Sequence, residues 1–117
     1  MVITLSLVGK TPVMHLAGRL DATTSSLLED RLKPLLDQSG EQIHRIVFDC
    51  SALTYVSSAG LRVFIATQRS LMTQAGSLAF ACLTPAVHEL FHLSGLDGIF
   101  VIELTVDKAV INICSGK

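Results

Sequence analysis

The densest chemistry in this sequence is a pair of adjacent serines, Ser57 and Ser58, followed by the small residues Ala59 and Gly60 and then by Leu61 and Arg62. Two hydroxyls at the mouth of a predicted helix have two uses. One serine can act as an N-cap, its side-chain oxygen accepting a bond from the first turn, which is worth about 1 kcal/mol. The site can also take an added anion, because a helix start carries unpaired backbone donors and the positive end of the helix dipole. Ala59 and Gly60 leave room for a partner's backbone to come close.

Catalysis has less support. Ser57 or Ser58 with His15, His44, His88 or His92 as base supplies the residue types of a hydrolase, yet nothing in their spacing points to a triad and the Gly-x-Ser-x-Gly elbow is missing. His88 and His92 lie four apart on a predicted helix, at its outer or boundary side, and lack the further ligands of a metal site. Gly95-Leu96-Asp97-Gly98 has too few glycines, and no following Lys-Ser or Lys-Thr, for a nucleotide loop. No catalytic residue, metal or cofactor is expected.

Composition narrows the partners. The 117 residues, half of them apolar, suit one domain spanning 1–117. Nine basic against ten acidic residues leave no electrostatic footprint for a phosphate backbone or an anionic lipid surface, so nucleic acid and membrane are not expected partners. No apolar run reaches the roughly 20 residues that cross a bilayer, and Met1 to Lys10 lacks the pattern of a signal peptide, which predicts a cytoplasmic protein. Cys50, Cys82 and Cys114 are odd in number, widely spaced and set among apolar residues, and read as small buried hydrophobes.

The serine pair must be held by the elements around it. Met1 to Leu7 and Val13 to Leu16 read as a strand pair joined by a turn at Gly9-Lys10-Thr11-Pro12. Leu28, Leu32, Leu35 and Leu36 mark a helix from Thr23 to Gln38 that stops at Ser39-Gly40, with a kink or early end expected at Pro34. Ile43 to Cys50 reads as a central strand with Asp49 at its carboxyl end, followed by a loop through Ser51 to Ser57. The next helix shows one face at Leu61, Phe64, Ile65, Leu71, Met72 and Ala75 and finishes at Gly76. Ser77 to Leu83 is another strand, and Pro85 opens a third helix with Val87, Leu90, Phe91 and Leu93 inward and a stop at Ser94-Gly95. Gly98 to Leu104 is the last strand, and Thr105 caps a final helix carrying Val106, Ala109, Val110 and Ile113 inward. Such alternation predicts an α/β fold, a mixed sheet of four to five strands with helices packed against it. In open α/β sheets the working surface lies beyond the carboxyl ends of the strands, which puts weight on the segment after Asp49.

Two blocks carry a family resemblance: Gly18-Arg19-Leu20-Asp21 before the first helix, and Asp49-Cys50-Ser51 followed by Tyr55-Val56-Ser57-Ser58-Ala59-Gly60-Leu61. Together they resemble the STAS domain of the bacterial anti-sigma factor antagonists, over nearly the whole chain. The second block is the more specific. In that family the serine two residues before the glycine is phosphorylated by an anti-sigma factor that is also a serine kinase, and the matching position is Ser58. One common form of the motif has an aspartate just before that serine; Ser57 stands there in this sequence, which makes Ser57 the second candidate acceptor and also the candidate N-cap.

The resemblance implies a partner switch. The unmodified protein would bind the anti-sigma factor and so release a sigma factor, the phosphorylated protein would not, and a serine phosphatase would be a further partner. Asp21, Ser57, Ser58, Ala59, Gly60 and Arg62 are the residues expected at the binding surface. The other reading is a STAS module of a different assembly, such as a transporter or a signalling scaffold, since a fold does not fix a function.

Overall fold

In the computed structural model, which describes residues 1–36 and 45–115, the chain alternates strands and helices around one sheet. Its strands are β1 (Val2–Val8), β2 (Thr11–Leu20), β3 (Arg45–Val56), β4 (Ser77–Ala81) and β5 (Val101–Glu103), and its helices are α1 (Ala22–Leu36), α2 (Ser58–Met72), α3 (Pro85–Leu93) and α4 (Val106–Ser115). The strands lie side by side in chain order; β1 and β2 are antiparallel across a tight turn, and each later pair is parallel. Parallel neighbours need a crossover, and the intervening helices supply it.

Alternation along the strands decides what each face buries. Met14, Leu16, Ile46, Phe48 and Phe80 point into a large core shared with Leu28 and Leu32 of α1, Val63, Phe64 and Leu71 of α2, and Val87 and Phe91 of α3. Val13, Val47, Ala79 and Ala81 point the other way and are covered by Ala109 and Ile113 of α4. A strand buried on both faces reads as a continuous apolar run, which explains Ile46-Val47-Phe48. The five phenylalanines of the sequence form one cluster in the larger core, with the ring of Phe80 centred 4.6–5.5 Å from those of Phe48, Phe64, Phe91 and Phe100.

Several expectations are corrected. β3 does not end near Asp49 but runs on to Val56, because buried Leu53 and Val56 continue its apolar side, so only Ser57 separates it from α2. Asp49 is a mid-strand residue paired with His15 and Ala81. β2 is likewise longer, and follows β3 through two register shifts, with Gly18 at φ +106°, a conformation that suits glycine. The buried face of α2 is Gly60, Val63, Phe64, Thr67 and Leu71, whereas Met72 is 64% exposed; Thr67 fits because its hydroxyl donates to the Val63 carbonyl at 2.8 Å. Leu93 is 73% exposed, and of the cysteines only Cys50 is buried, while Cys82 is half-buried and Cys114 exposed. α1 continues through Pro34 to Leu36; the stop at Ser39-Gly40 and the start of a strand at Ile43 lie outside the described residues.

The end of α2 carries strain. Gly76 donates to the Leu71 carbonyl at 2.7 Å and Ala75 to that of Met72 at 3.1 Å, the bond pair of a Schellman stop, and Ala75 holds the left-handed position at φ 59°. An alanine there costs about 1–2 kcal/mol, more than the extra freedom a glycine brings to the unfolded chain. Ala75→Gly is expected to raise stability by roughly 0.5–1 kcal/mol, read as a higher urea midpoint at unchanged slope; an unchanged or lower midpoint contradicts this.

Candidate functional site

At the carboxyl ends of β2 and β3 two helix starts sit side by side. The Ser57 amide donates to the Leu20 carbonyl at 2.8 Å, so the last residue of β2 is bonded to the residue that opens α2. Ser57 has extended backbone angles and its Oγ accepts from the Gly60 amide at 3.2 Å, which makes it the N-cap of α2. Ser58, the first helical residue, is exposed, Ala59 is half-buried, and Arg62, one turn on, is exposed. No acidic side chain stands in the first turn, so the positive end of this helix has no carboxylate of its own beside it.

Gly60 is placed differently from expectation. It is buried, and a Cβ built on it would lie 2.8 Å from the Cδ2 and Cγ atoms of Leu20 and 2.9 Å from Cγ1 of Val56. The close approach that its missing side chain permits is therefore made by this domain's own Leu20 and Val56, which anchor α2 on the ends of β2 and β3.

Asp21 is the cap of α1. Its Oδ1 accepts from the amides of Thr23 and Thr24, both at 3.1 Å, while its own amide donates to Thr24 Oγ1 at 2.9 Å, a reciprocal pairing of the capping-box kind. Thr24 Oγ1 also lies 2.8 Å from the Arg19 carbonyl, which closes the turn. The Thr24 amide and hydroxyl, with help from Thr23 and Arg19, hold the Asp21 carboxyl below the ordinary aspartate range.

Sequence reasoning assigned no role to two neighbours, Arg19 and Tyr55. They are cross-strand partners at the ends of β2 and β3; the Arg19 guanidinium lies 4.2 Å above the Tyr55 ring, and both residues are exposed. Both stand in the blocks already singled out, but their contact depends on the register shift before Arg19, which spacing does not show. Asp49, by contrast, is seven residues up an extended strand from Val56, roughly 20 Å away, and does not belong to this site.

Other candidates are dispersed. His88 and His92 are exposed on α3, and His92 Nδ1 pairs with Asp97 Oδ2 at 2.8 Å. Among the described residues no group of three or more His, Cys, Asp and Glu side chains comes together to hold a metal ion, and no helix is long and apolar enough to cross a membrane.

The chain resembles known proteins in both sequence and fold. The STAS domain model matches residues 3–109. A protein of Bordetella bronchiseptica named as an anti-sigma factor antagonist, BtrV, is 37% identical over 87 residues, covering 74% of this chain and 72% of that protein. The anti-sigma-B factor antagonist of Bacillus subtilis is 33% identical over 97 residues, covering 83% and 85%. In fold, the anti-sigma factor antagonist SpoIIAA in its unphosphorylated form superposes with a TM-score of 0.82 at 23% identity, over 97% of each chain.

Two outcomes follow from the geometry. A methyl group at position 60 has to displace buried Leu20 and Val56, at about 1–3 kcal/mol, more than the roughly 0.5–1 kcal/mol that alanine gains over glycine in a helix. Gly60→Ala is therefore expected to lower the melting temperature, and a rise contradicts the packing described. For Asp21 the folded pKa is depressed, so its capping contribution is present above the unfolded value and is lost as pH falls through the folded one. Asp21→Asn keeps an N-cap without that titration; in acid titrations its stability deficit relative to the parent chain should shrink below about pH 4, and a deficit that stays constant overturns the assignment.

Proposed function

The chain belongs to the STAS domain family, and we propose that it acts as an anti-sigma factor antagonist, binding an anti-sigma factor that is also a serine kinase and losing that binding when Ser58 is phosphorylated. Binding of this kind frees a sigma factor, and a serine phosphatase restores the unmodified form. The names of the Bordetella and Bacillus relatives support the first part. The second rests on one observation: Ser58 is exposed at the start of α2 while Ser57 beside it is engaged as the cap.

The physical case distinguishes the two serines. Phosphate on Ser57 would load the oxygen that accepts from the Gly60 amide and weaken the cap. Phosphate on Ser58 adds a charge of about −1.5 to −2 and three acceptor oxygens on a side chain already facing outward. At a helix start that charge is favourable by about 0.3–1 kcal/mol, so the fold survives. Docking does not, since the charged group has to be stripped of water in a contact made for a hydroxyl.

In this reading Ser58, Ala59 and Arg62 form the docking surface, with Arg19 and Tyr55 at its rim. Ser57, Asp21 and Gly60 contribute by holding the two helix starts in place. The partner is a soluble protein, and the place of action is the cytoplasm.

The test is incubation with the cognate kinase and ATP, site mapping and a binding titration. Phosphate is expected on Ser58, with affinity lowered roughly a hundredfold and an unchanged circular dichroism spectrum. Ser58→Ala should bind like the unmodified chain and resist the switch, and Ser58→Asp should bind weakly while folded. Phosphate on Ser57 alone, or full affinity in the Ser58 phosphoprotein, contradicts the proposal.

A further inference from the structure

On the sheet face that carries α4, away from the start of α2, three neighbouring strands bring together a serine, a histidine and an aspartate. Ser6 lies on β1, His15 on β2 and Asp49 on β3. Ser6 Oγ is 2.8 Å from His15 Nε2, and His15 Nδ1 is 2.7 Å from Asp49 Oδ2. Strand alternation puts them there: Val13 and Val47, two positions before His15 and Asp49, point to the same face and meet α4. The spacing of these residues in the sequence gives no hint of it, because the row forms only when three strands register.

The order of bonding fixes the role of each atom. Asp49 Oδ1 accepts from the Ser51 amide at 3.0 Å, so both carboxylate oxygens are engaged. Burial works against the Asp49 charge, but the Ser51 and His15 hydrogen bonds outweigh it and hold the carboxyl below its ordinary value. An ionised carboxylate has no proton to give, so His15 Nδ1 is the donor, and in the neutral ring Nε2 is left bare to accept from the Ser6 hydroxyl. Exposure is graded in the same order: Ser6 is exposed, the His15 side chain is 38% exposed and that of Asp49 15%.

We propose that Ser6 is a nucleophilic serine, with His15 as its general base and Asp49 as the positioning residue, which accepts an acyl group from small activated acyl compounds such as aryl esters. The Oγ–carbonyl bond forms as the carbonyl–oxygen bond to the aryl group breaks; the hydroxyl proton passes to His15 Nε2 and from there to the departing phenoxide. Water then releases the acid by the same route, with His15 taking its proton and returning one to Ser6. Because Ser6 stands on an exposed strand, the donor is small and its leaving group is a weakly basic phenoxide that departs readily. This activity is separate from Ser58 and from binding at the α2 start.

The full chain is incubated with p-nitrophenyl acetate, release of nitrophenolate is followed, and the acetyl group is mapped by tandem mass spectrometry. Acetyl is expected on Ser6 well ahead of Ser26, an exposed serine on α1 that serves as control within the same molecule. Ser6→Ala should abolish that modification, and His15→Gln should slow it about a hundredfold at unchanged circular dichroism. Asp49→Asn should slow it and remove the downfield Nδ1 proton resonance of His15, with partial recovery in Asp49→Glu. If the row serves only to staple the strands, Ser6 reacts no faster than Ser26, and that result overturns the proposal. So does acetyl found only on lysines or the amino terminus, or on Ser6 at an undiminished rate in folded His15→Gln.

Discussion

The absence of a side chain at Gly60 is the constraint on which the seating of α2 at the ends of β2 and β3 depends. Leu20 closes β2, Val56 closes β3, and the first turn of α2 rests on both at a distance that a Cβ would violate. The same approach lets the Ser57 amide reach the Leu20 carbonyl, which joins the two helix starts into one unit. With the buried side of the turn fixed in this way, Ser58 and Arg62 face solvent. A surface held by its own core has little ordering left to lose, which would lower the cost of the association proposed above.

The core explains why this end stays in register. Phe64 of α2 meets Phe48 of β3 and Phe80 of β4, and Phe80 in turn meets Phe91 of α3 and Phe100 before β5. A shift of α2 along the sheet would break these ring contacts together with the Gly60 contact. α4 closes the opposite face by setting Ala109 and Ile113 against Val13, Val47, Ala79 and Ala81 of the strands, and leaves part of that face to the Ser6, His15 and Asp49 row.

Periodicity made the element order and the mixed sheet legible, because apolar runs, Pro85 at a helix start and Ser94-Gly95 at its end are local signals. The cap at Ser57 was legible for the same reason. Asp49 was misplaced because a polar residue after an apolar run looks like a strand end; its partner, His15, is 34 residues away and visible only once β2 and β3 are paired. Thr67 hides its polarity in a bond to its own helix, and Leu93 lies just where α3 turns out of the core, so neither follows the apolar pattern. Gly60 announced a close approach, but not whether the near atoms would belong to a partner or to Leu20.

A switch that works by blocking a contact differs physically from one that works by unfolding. At the α2 start the two have opposite energetics: charge is welcome to the helix and unwelcome in a docked interface. Amide hydrogen exchange, compared between the unmodified and the Ser58-phosphorylated protein, separates them most directly. Protection across β2, β3 and α2 beyond its first turn is expected to be the same in both forms, with differences confined to residues 57–62. Loss of protection along α2 to Met72, or in β3, would mean that the phosphate acts by loosening the fold and would contradict a switch made at the surface.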